Sequence, residues 1–325
     1  MKTSARPAPF IHQPTLETSE WFLGHRMSYL AGNDETGGMI CLMDALQRDR
    51  CLPPPHVHER EDEWFYVLDG IVDFRAGGTE ARLGPGGMAF LPRGVPHAYS
   101  FAGDTARLLI GVQPGHFEVF FRRFGRPAGH LGLPPAPCDA PDTTAMNRFG
   151  AGLGMHVLPD GSDMAAWPAA EGAPRPVFVE RDSRQPINVL GTRMSVLLDG
   201  ADTGGRFALV ESVEEPGNGP PLHIHHAEEE LFHVVEGDFL FRVGDRTVEA
   251  GPETTVFAPR DIPHTYSCVG PGAGRMLTLV QPPAFIGFFR AIDAMSRQGP
   301  PDVERLVALG GDYHLEFTGP PLRAG

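Results

Sequence analysis

Residues 53–70 read PPPHVHEREDEWFYVLDG, and a further histidine follows at position 97. Two histidines separated by one residue lie on one face of an extended strand, because side chains at i and i+2 point the same way. His56 and His58 can therefore direct two imidazoles at one point, which Glu63 and His97 would reach from other stretches of the chain. Three imidazoles and one carboxylate suit a divalent transition metal, namely Fe, Mn, Co, Ni, Cu or Zn.

The same pattern returns in the second half of the chain, where residues 220–237 read PPLHIHHAEEELFHVVEG. Each member of a second possible metal set lies 167 positions after its counterpart in the first. The correspondence runs without a gap from about residue 24 to residue 100. The chain is therefore an internal duplication with one candidate metal site in each half. The second set consists of His223, His225, Glu230 and His264.

Each half has the sequence pattern of an all-β domain. Residues 63–70 and 239–243 are rich in aromatic and β-branched side chains and end at turn residues, which predicts strands. The 40 glycines and 33 prolines show no short period and therefore indicate many tight turns. Apolar residues at helical spacing predict short helices after the strands. These helices would fall within residues 117–124 and 285–292, and a helix start signal with acidic residues in the first turn predicts another over residues 302–309.

A length of 325 residues allows two domains of ordinary size. We expect an N-terminal domain over residues 1–165 and a C-terminal domain over residues 166–325. A segment rich in proline, alanine and glycine, residues 159–176, is the predicted linker.

The composition excludes several classes of partner and location. Hydrophobic residues make up 41% and charged residues 21%, which is typical of a globular protein. The net charge of −14 argues against nucleic acid or an anionic membrane as a partner. The sequence has no run of 18 apolar residues and no apolar segment near residue 1, so we expect neither a membrane span nor a secretory signal.

Without a CxxC pair, the four cysteines predict free thiols in the cytoplasm. They are Cys41, Cys51, Cys138 and Cys268.

The His-x-His pair, the glutamate and Gly70, together with a later Gly86-x5-Pro92-x-Gly94-x2-His97, resemble the two-part motif of the cupin superfamily. Both halves carry this motif. The resemblance implies two tandem cupin barrels, of the double-stranded β-helix or jelly-roll type, with short helices after each barrel and one divalent metal per domain. The second half departs from the motif at two glycine positions, Glu253 and Asp261. Because Asp tolerates positive φ better than most residues, we expect the second of these turns to survive.

A closer resemblance is to the quercetin 2,3-dioxygenase-like cupins. It rests on residues 53–70 and on PGHFEVFF at residues 114–121. It implies a metal-dependent dioxygenase that consumes dioxygen, cleaves a planar aromatic enol such as a flavonol and releases carbon monoxide. Glu63, and Glu230 in the second half, would act as the catalytic base as well as a metal ligand, and the partners would be a small aromatic substrate and dioxygen.

Four aromatic residues are candidates for the wall of a substrate pocket. Phe65 and Phe232 lie two residues beyond each glutamate and share its face of the strand. Tyr99 and Tyr266 lie two residues beyond the last histidine of each set. Filling of the hydrophobic core is an equally good interpretation of all four.

The other histidines give weaker evidence of a functional role. His226 follows a ligand directly and His233 lies three residues after a glutamate, so both are expected on the opposite face of their strands. Histidines in the predicted helical and linker regions are expected to be structural or exposed. These are His116, His130, His156 and His314.

Other functions stay open at the level of sequence. A bicupin can also be a natural-product cyclase or tailoring enzyme, an oxalate decarboxylase-like enzyme that needs an anion-binding arginine near the metal, or a small-molecule binding protein. Drift around the second metal set, with His226 in place of Glu59 and Asp261 in place of Gly94, favours the first half as the catalytic one. A monomer or a homodimer is expected.

Overall fold

A computed structural model describes residues 6–135, 142–159, 161–167, 172–299 and 302–323. The chain divides into two compact units. The first includes Pro14–Ser183, and the second combines Pro7–Gln13 with Arg184–Gly325. The predicted boundary after residue 165 lies ahead of this division, because Val177–Val179 still pairs with Met88–Leu91 of the first unit.

The strands and helices alternate with short turns along the described chain. The strands up to the division are β1 (Phe10–His12), β2 (Ser19–Phe22), β3 (His25–Ala31), β4 (Cys41–Arg48), β5 (His56–His58), β6 (Asp62–Asp69), β7 (Val72–Ala76), β8 (Thr79–Leu83), β9 (Met88–Leu91), β10 (His97–Phe101), β11 (Thr105–Gln113), β12 (Arg126–Pro127), β13 (Met155–Val157) and β14 (Val177–Val179). The later strands are β15 (Ile187–Val189), β16 (Thr192–Leu198), β17 (Ala208–Glu214), β18 (Pro221–His225), β19 (Glu229–Glu236), β20 (Phe239–Val243), β21 (Arg246–Ala250), β22 (Thr255–Ala258), β23 (His264–Cys268), β24 (Gly274–Gln281) and β25 (Leu315–Pro321). The α-helices are α1 (Glu118–Phe124), α2 (Thr143–Leu153), α3 (Ile286–Ser296) and α4 (Val303–Asp312), and short 3-10 helices cover Asp49–Cys51, Gly115–Phe117, Met164–Ala166, Arg181–Ser183 and Pro283–Phe285.

Each unit is built from two antiparallel sheets. In the first unit an eight-stranded sheet has the order β12-β2-β3-β4-β11-β6-β9-β14, and a five-stranded sheet has the order β13-β5-β10-β7-β8. The second unit repeats this plan with the orders β1-β22-β19-β24-β17-β16-β15 and β21-β20-β23-β18-β25. Among the described residues the strands thus form paired sheets, as in a jelly roll, and hydrogen bonding does not run around a single closed barrel.

The hydrophobic core of each unit is formed by side chains from both of its sheets. In the first unit, Phe65 on β6 packs with Phe74 on β7 and Tyr99 on β10. In the second unit, Phe232 on β19 and Phe241 on β20 take the same places. The alternation of buried and exposed side chains on β7 and β20 is the period-two pattern that one covered face requires.

The predicted helices are present, and one more appears. The helices α1, α3 and α4 overlap the three predicted segments, and α4 begins after Asp302, whose carboxylate accepts a hydrogen bond from the Glu304 backbone at 3.0 Å. The additional helix is α2, which begins after Asp142 by the same kind of cap.

The turn before each last histidine keeps its shape despite the change from glycine. Gly94 has a φ of 78° and Asp261 a φ of 65°, so both adopt the left-handed conformation. Asp261 is also held there by His226, whose Nδ1 lies 2.8 Å from its carboxylate. Glu253 replaces Gly86 with a φ of 71°. The expectation that the turn survives is confirmed.

The sequence predicts no membrane span and four free thiols, and the described residues can be compared with both predictions. Within these residues, no helix is both long enough and apolar enough to cross a bilayer. Cys41, Cys51 and Cys268 are free thiols. Cys138 lies outside the described residues.

Candidate metal centres

The first candidate centre is assembled from three strands of the first unit. His56 and His58 lie on β5, Glu63 on β6 and His97 on β10, and all four are buried. His56 and His97 are direct partners across the β5–β10 pair, which brings residues far apart in sequence side by side. The Nε2 atom of His97 lies 2.9 Å from Oε2 of Glu63. The Nε2 atoms of His58 and His56 lie 3.7 Å and 4.0 Å from the same carboxylate.

The other ring nitrogen of each histidine is already hydrogen-bonded. The Nδ1 atom of His56 lies 2.9 Å from the Pro54 carbonyl, and that of His97 lies 3.0 Å from the Val95 carbonyl. The carboxylate of Glu61 lies 3.1 Å from Nδ1 of His58. These acceptors place the ring proton on Nδ1 and leave each Nε2 lone pair facing the shared point, as histidines that bind a metal require.

The donor set fits a divalent transition metal. One ligand atom from each of the four residues can be chosen so that all lie within 4.8 Å of one another. A metal at about 2.0 to 2.1 Å from each nitrogen holds its ligands about 3 to 4 Å apart, so only small side-chain movements separate this arrangement from a coordinated one. Four protein ligands on an octahedral ion leave two positions open for other molecules.

The second centre reproduces the first almost atom by atom. His223 and His225 lie on β18, Glu230 on β19 and His264 on β23, and all are buried. The Nε2 atoms of His264 and His225 lie 2.9 Å and 3.3 Å from Oε2 of Glu230. Carbonyl oxygens again occupy two Nδ1 atoms, with Pro221 2.7 Å from His223 and Ile262 3.0 Å from His264. His223 and His264 are register partners, as their counterparts are.

The protonation states of the first set suit metal binding. Burial, together with neighbouring His97 and His58, lowers the pKa of His56 to about 3, so this imidazole is neutral. Burial by itself would raise the pKa of Glu63, but the surrounding histidines, His58 above all, lower it to about 2. A neutral imidazole and an ionised carboxylate are the forms that bind metal ions.

The protonation states of the second set differ from those of the first set. Burial opposes the charged form of His225, but the carboxylates of Glu230 and Glu228 outweigh it and raise the pKa to about 9. Burial raises the pKa of Glu230 and the neighbouring histidines lower it, with a net result well below the ordinary value. In the absence of metal, His225 and Glu230 therefore form a buried ion pair.

Two contributing residues were missed from the sequence, Glu61 and Glu228. Each lies three positions after the second histidine and accepts a hydrogen bond from its Nδ1 atom, at 3.1 Å from His58 and 3.4 Å from His225. Both are buried. The sequence could have indicated both residues, because Glu61 and Glu228 are also 167 positions apart and the position is glutamate in both halves.

A cavity of about 450 Å³ opens onto the first centre. His56, His58 and Glu63 form part of its wall, and the two predicted pocket residues Phe65 and Tyr99 line it as well as packing in the core. Most of the remaining wall is apolar. It includes Phe22, Met27, Ile110, Phe117, Phe120 and Met155.

The corresponding cavity beside the second centre is much smaller, at about 120 Å³. Phe232 and Tyr266 line it, again with a second role in the core. Side chains from α3, α4 and β25 fill the space. They include Phe288, Phe289, Ile292, Leu306, Leu315 and Phe317. Drug-sized ligands occupy cavities of about 300 to 1,000 Å³, so only the first cavity accommodates one.

The remaining histidines lie outside the two ligand sets. His226 is exposed and pairs with Asp261 and Glu316, as its position after a ligand predicts. His233 is buried on the opposite face from Glu230 and contacts Thr255. His116 contacts the Glu61 carboxylate, because its Nε2 atom lies 2.5 Å from Oε1 of Glu61. His130 and His314 are exposed, and His156 is partly buried.

Comparison with known proteins agrees with this geometry. The cupin domain model matches residues 46–112 and 210–280, which contain both ligand sets. The chain is a bicupin. Quercetin 2,3-dioxygenase of Bacillus subtilis (strain 168) is 23% identical over 284 residues, which cover 85% of this bicupin and 83% of that enzyme.

Solved structures show the same fold at low identity. Oxalate decarboxylase from Bacillus subtilis superposes with a TM-score of 0.58 and 15% identity, covering 97% of the bicupin and 88% of that chain. The protein YlbA from E. coli superposes with a TM-score of 0.56 and 11% identity, covering 85% and 92% of the two chains. At such identities the likeness supports the architecture alone, and function must be argued from the site.

Proposed function

We propose that the first domain of this bicupin is the active site of a metal-dependent dioxygenase that cleaves a planar aromatic enol such as a flavonol, consuming dioxygen and releasing carbon monoxide. The observation that carries this proposal is the apolar cavity of about 450 Å³ whose wall includes the His56, His58 and Glu63 side chains. A flat, mostly apolar molecule that presents adjacent oxygens to the metal set matches this combination of wall and ligands. The similarity to quercetin 2,3-dioxygenase of Bacillus subtilis supports the same reaction class.

Some side chains of the first cavity would bind the substrate, and another would accept its proton. Phe65, Tyr99 and Phe117 present aromatic rings to a flat substrate. Glu63 is ionised and buried at the cavity wall, so its carboxylate would take the proton of the enol hydroxyl. The apolar wall keeps water from the deprotonated substrate.

His56, His58, Glu63 and His97 would hold the metal, and their orientation is set by the acceptors on each Nδ1 atom. A bound divalent ion would act as a Lewis acid toward the enolate oxygen and bring substrate and dioxygen together. Glu63 would serve both as a ligand and as the acceptor of the substrate proton. The second set would hold its own ion with Glu230 in the corresponding place, but beside a cavity too small for the aromatic substrate.

An oxalate decarboxylase-like reaction has weaker support. A small dicarboxylate needs a cation beside the metal. Among the described residues that line the second cavity there is no arginine, and the first cavity has Arg50, an exposed residue.

The proposal is tested with purified protein whose metal content has been measured. Quercetin and dioxygen are supplied, and carbon monoxide is detected together with loss of the flavonol absorbance. Glu63→Gln should abolish turnover, whereas the matched variant Glu230→Gln should retain it. Metal-loaded protein that neither consumes quercetin nor releases carbon monoxide would refute the proposed reaction while leaving the bicupin fold in place.

A further inference from the structure

A cluster of polar side chains outside the metal set lies in the wall of the first cavity. It consists of His25, Gln47 and Tyr99, all of them buried. The Nε2 atom of His25 lies 2.9 Å from the Cys51 carbonyl, and its Nδ1 atom accepts a hydrogen bond from the Arg48 backbone at 3.1 Å. The Tyr99 hydroxyl donates to Oε1 of Gln47 at 3.0 Å. The hydrogens of His25 and Tyr99 are therefore already used.

The side-chain nitrogen of Gln47 differs from these groups. The residue is only 3% exposed and lines the cavity. Its oxygen receives the Tyr99 hydroxyl, but its NH₂ group has no hydrogen-bond partner in the part of the chain that the structure describes. An amide donor that faces a cavity without a protein partner can bond to water or to an oxygen of a ligand, so this nitrogen is a polar group of the wall that stays available to a ligand.

The corresponding position in the second domain is closed to a ligand. Glu214 lies 167 positions after Gln47, and Tyr266 donates to its Oε1 at 2.8 Å just as Tyr99 does to Gln47. The second oxygen accepts from Thr192 at 2.7 Å and from Asn218 at 2.8 Å. Both oxygens of Glu214 and the hydroxyl groups of Thr192 and Tyr266 are used internally, whereas the first cluster keeps one donor open.

We propose that Gln47 determines specificity in the first cavity by donating a hydrogen bond from its side-chain amide to an oxygen of the aromatic ligand. The ligand class is therefore an oxygenated aromatic that carries a carbonyl, phenolic or ether oxygen in addition to the pair that faces the metal. This inference deepens the proposed function and relies on it for the aromatic character of the ligand. Binding sites built to satisfy a polar group discriminate strongly against ligands that lack the partner atom.

Two pairs of probes test the inference. The first pair is 2-acetylnaphthalene and 2-isopropenylnaphthalene, which have nearly the same shape but differ in the carbonyl oxygen. The second is quercetin and 3-hydroxyflavone without dioxygen, which share the metal-facing oxygens but differ in the remaining hydroxyl groups. We expect the wild type to prefer the more oxygenated member of each pair by about five- to tenfold in Kd, the range of one hydrogen bond. In Gln47→Met that ratio should fall to about one.

Two controls separate binding from folding. The double variant Gln47→Met with Tyr99→Phe removes the hydroxyl that would lose its acceptor, so it leaves no new unpaired polar atom and should show the same loss of preference. The matched variant Glu214→Gln should keep the wild-type ratios, because the second cavity is too small for either pair.

The possible outcomes distinguish the two proposals. A wild type without preference, or a Gln47→Met protein that retains it, overturns the role of Gln47. The preference for 2-acetylnaphthalene can depend on Gln47 in a protein that does not turn over flavonol. That result supports the role of Gln47 and refutes the proposed flavonol reaction. Failure of all four probes to bind overturns both.

Discussion

The Nε2 atom of His116 lies 2.5 Å from Oε1 of Glu61, a carboxylate that is fully buried. The other oxygen of Glu61 accepts the Nδ1 hydrogen of His58 at 3.1 Å. A chain of contacts thus connects a partly exposed imidazole to a metal-ligand histidine. The second domain keeps Glu228 but has Ala284 two residues after its cis proline, where the first domain has His116 two residues after the corresponding one.

Glu61→Gln should weaken metal binding at the first centre by about 10- to 100-fold, the usual effect of removing the partner of a metal-ligand histidine. The amide keeps the size of the side chain but removes the negative charge that raises the basicity of His58. The measurement is competition with a chelator of known affinity, made in a Glu230→Gln background so that one centre is observed.

The matched control is Glu228→Gln, measured at the second centre in a Glu63→Gln background. Because the contact of Glu228 with His225 is longer, at 3.4 Å, its removal should have the smaller effect. A Glu61→Gln protein with unchanged metal affinity would show that this carboxylate is only a packing element.

The first domain should lose stability in acid because of His25. Burial, and to a lesser extent Arg48, lowers its pKa from 6.5 to about 4, although the hydrogen bond with the Cys51 carbonyl opposes this. A lowered histidine pKa means that the stability is fully present above about pH 6.5 and is lost as the pH falls toward about 4. The shift corresponds to about 3 kcal/mol of unfolding free energy.

Tryptophan fluorescence reports on this effect selectively. The chain has 3 tryptophans, and all belong to the first unit. They are Trp21, Trp64 and Trp167. Urea unfolding followed by their emission should become easier in acid for the wild type and much less so for His25→Gln. An equal pH dependence in both proteins would contradict the assignment.

The second domain should respond to pH through Glu214 in the opposite direction. Burial raises the pKa of this carboxyl group, while hydrogen bonds from Thr192, Tyr266 and Asn218 limit the shift. A raised folded-state pKa favours the protonated form, so its contribution is present below the unfolded glutamate pKa of about 4.3 and is lost as the pH rises through the folded value.

Glu214→Gln should therefore remove this loss and stabilise the second domain at neutral pH. Asn218 can turn its amide so that its oxygen faces the new NH₂ group. Calorimetry should show a higher unfolding temperature for one transition, while the transition seen by tryptophan fluorescence stays in place. A lower unfolding temperature at neutral pH would mean that Glu214 is needed in its ionised form.

Metal and aromatic ligand should bind with different stoichiometries. Two ligand sets predict two metal ions per chain, but only the cavity of about 450 Å³ accommodates a flavonol. Elemental analysis should therefore give two ions, and anaerobic titration with quercetin should saturate at one molecule per chain. Two quercetin molecules per chain would contradict the size difference between the cavities.

Much of the metal centres could be predicted from sequence because their geometry is local. The spacing of His56 and His58 determines that both lie on one face of a strand, whatever surrounds it. The offset of 167 positions then assigns the same arrangement to His223 and His225. The same offset could have identified Glu61 and Glu228, but nothing local predicts that a carboxylate three residues on turns back to a ring nitrogen.

The size of the two cavities could not be predicted, because part of each wall comes from segments outside the repeat. The repeat runs from about residue 24 to residue 100, whereas α2 borders the first cavity and α3, α4 and β25 fill the second. Volume depends on how such distant segments pack, and a change of a few side chains alters it.

The sequence by itself determined the duplication, the all-β domains and the two sets of ligand residues, because strand periodicity and residue type are local properties. The tertiary structure decided which centre lies beside the larger cavity and which amide donor in a cavity wall lacks a partner among the described residues. Gln47 and Glu214 occupy equivalent positions, but only the packing around them shows that one group is saturated by Thr192 and Asn218 and the other is open to a ligand.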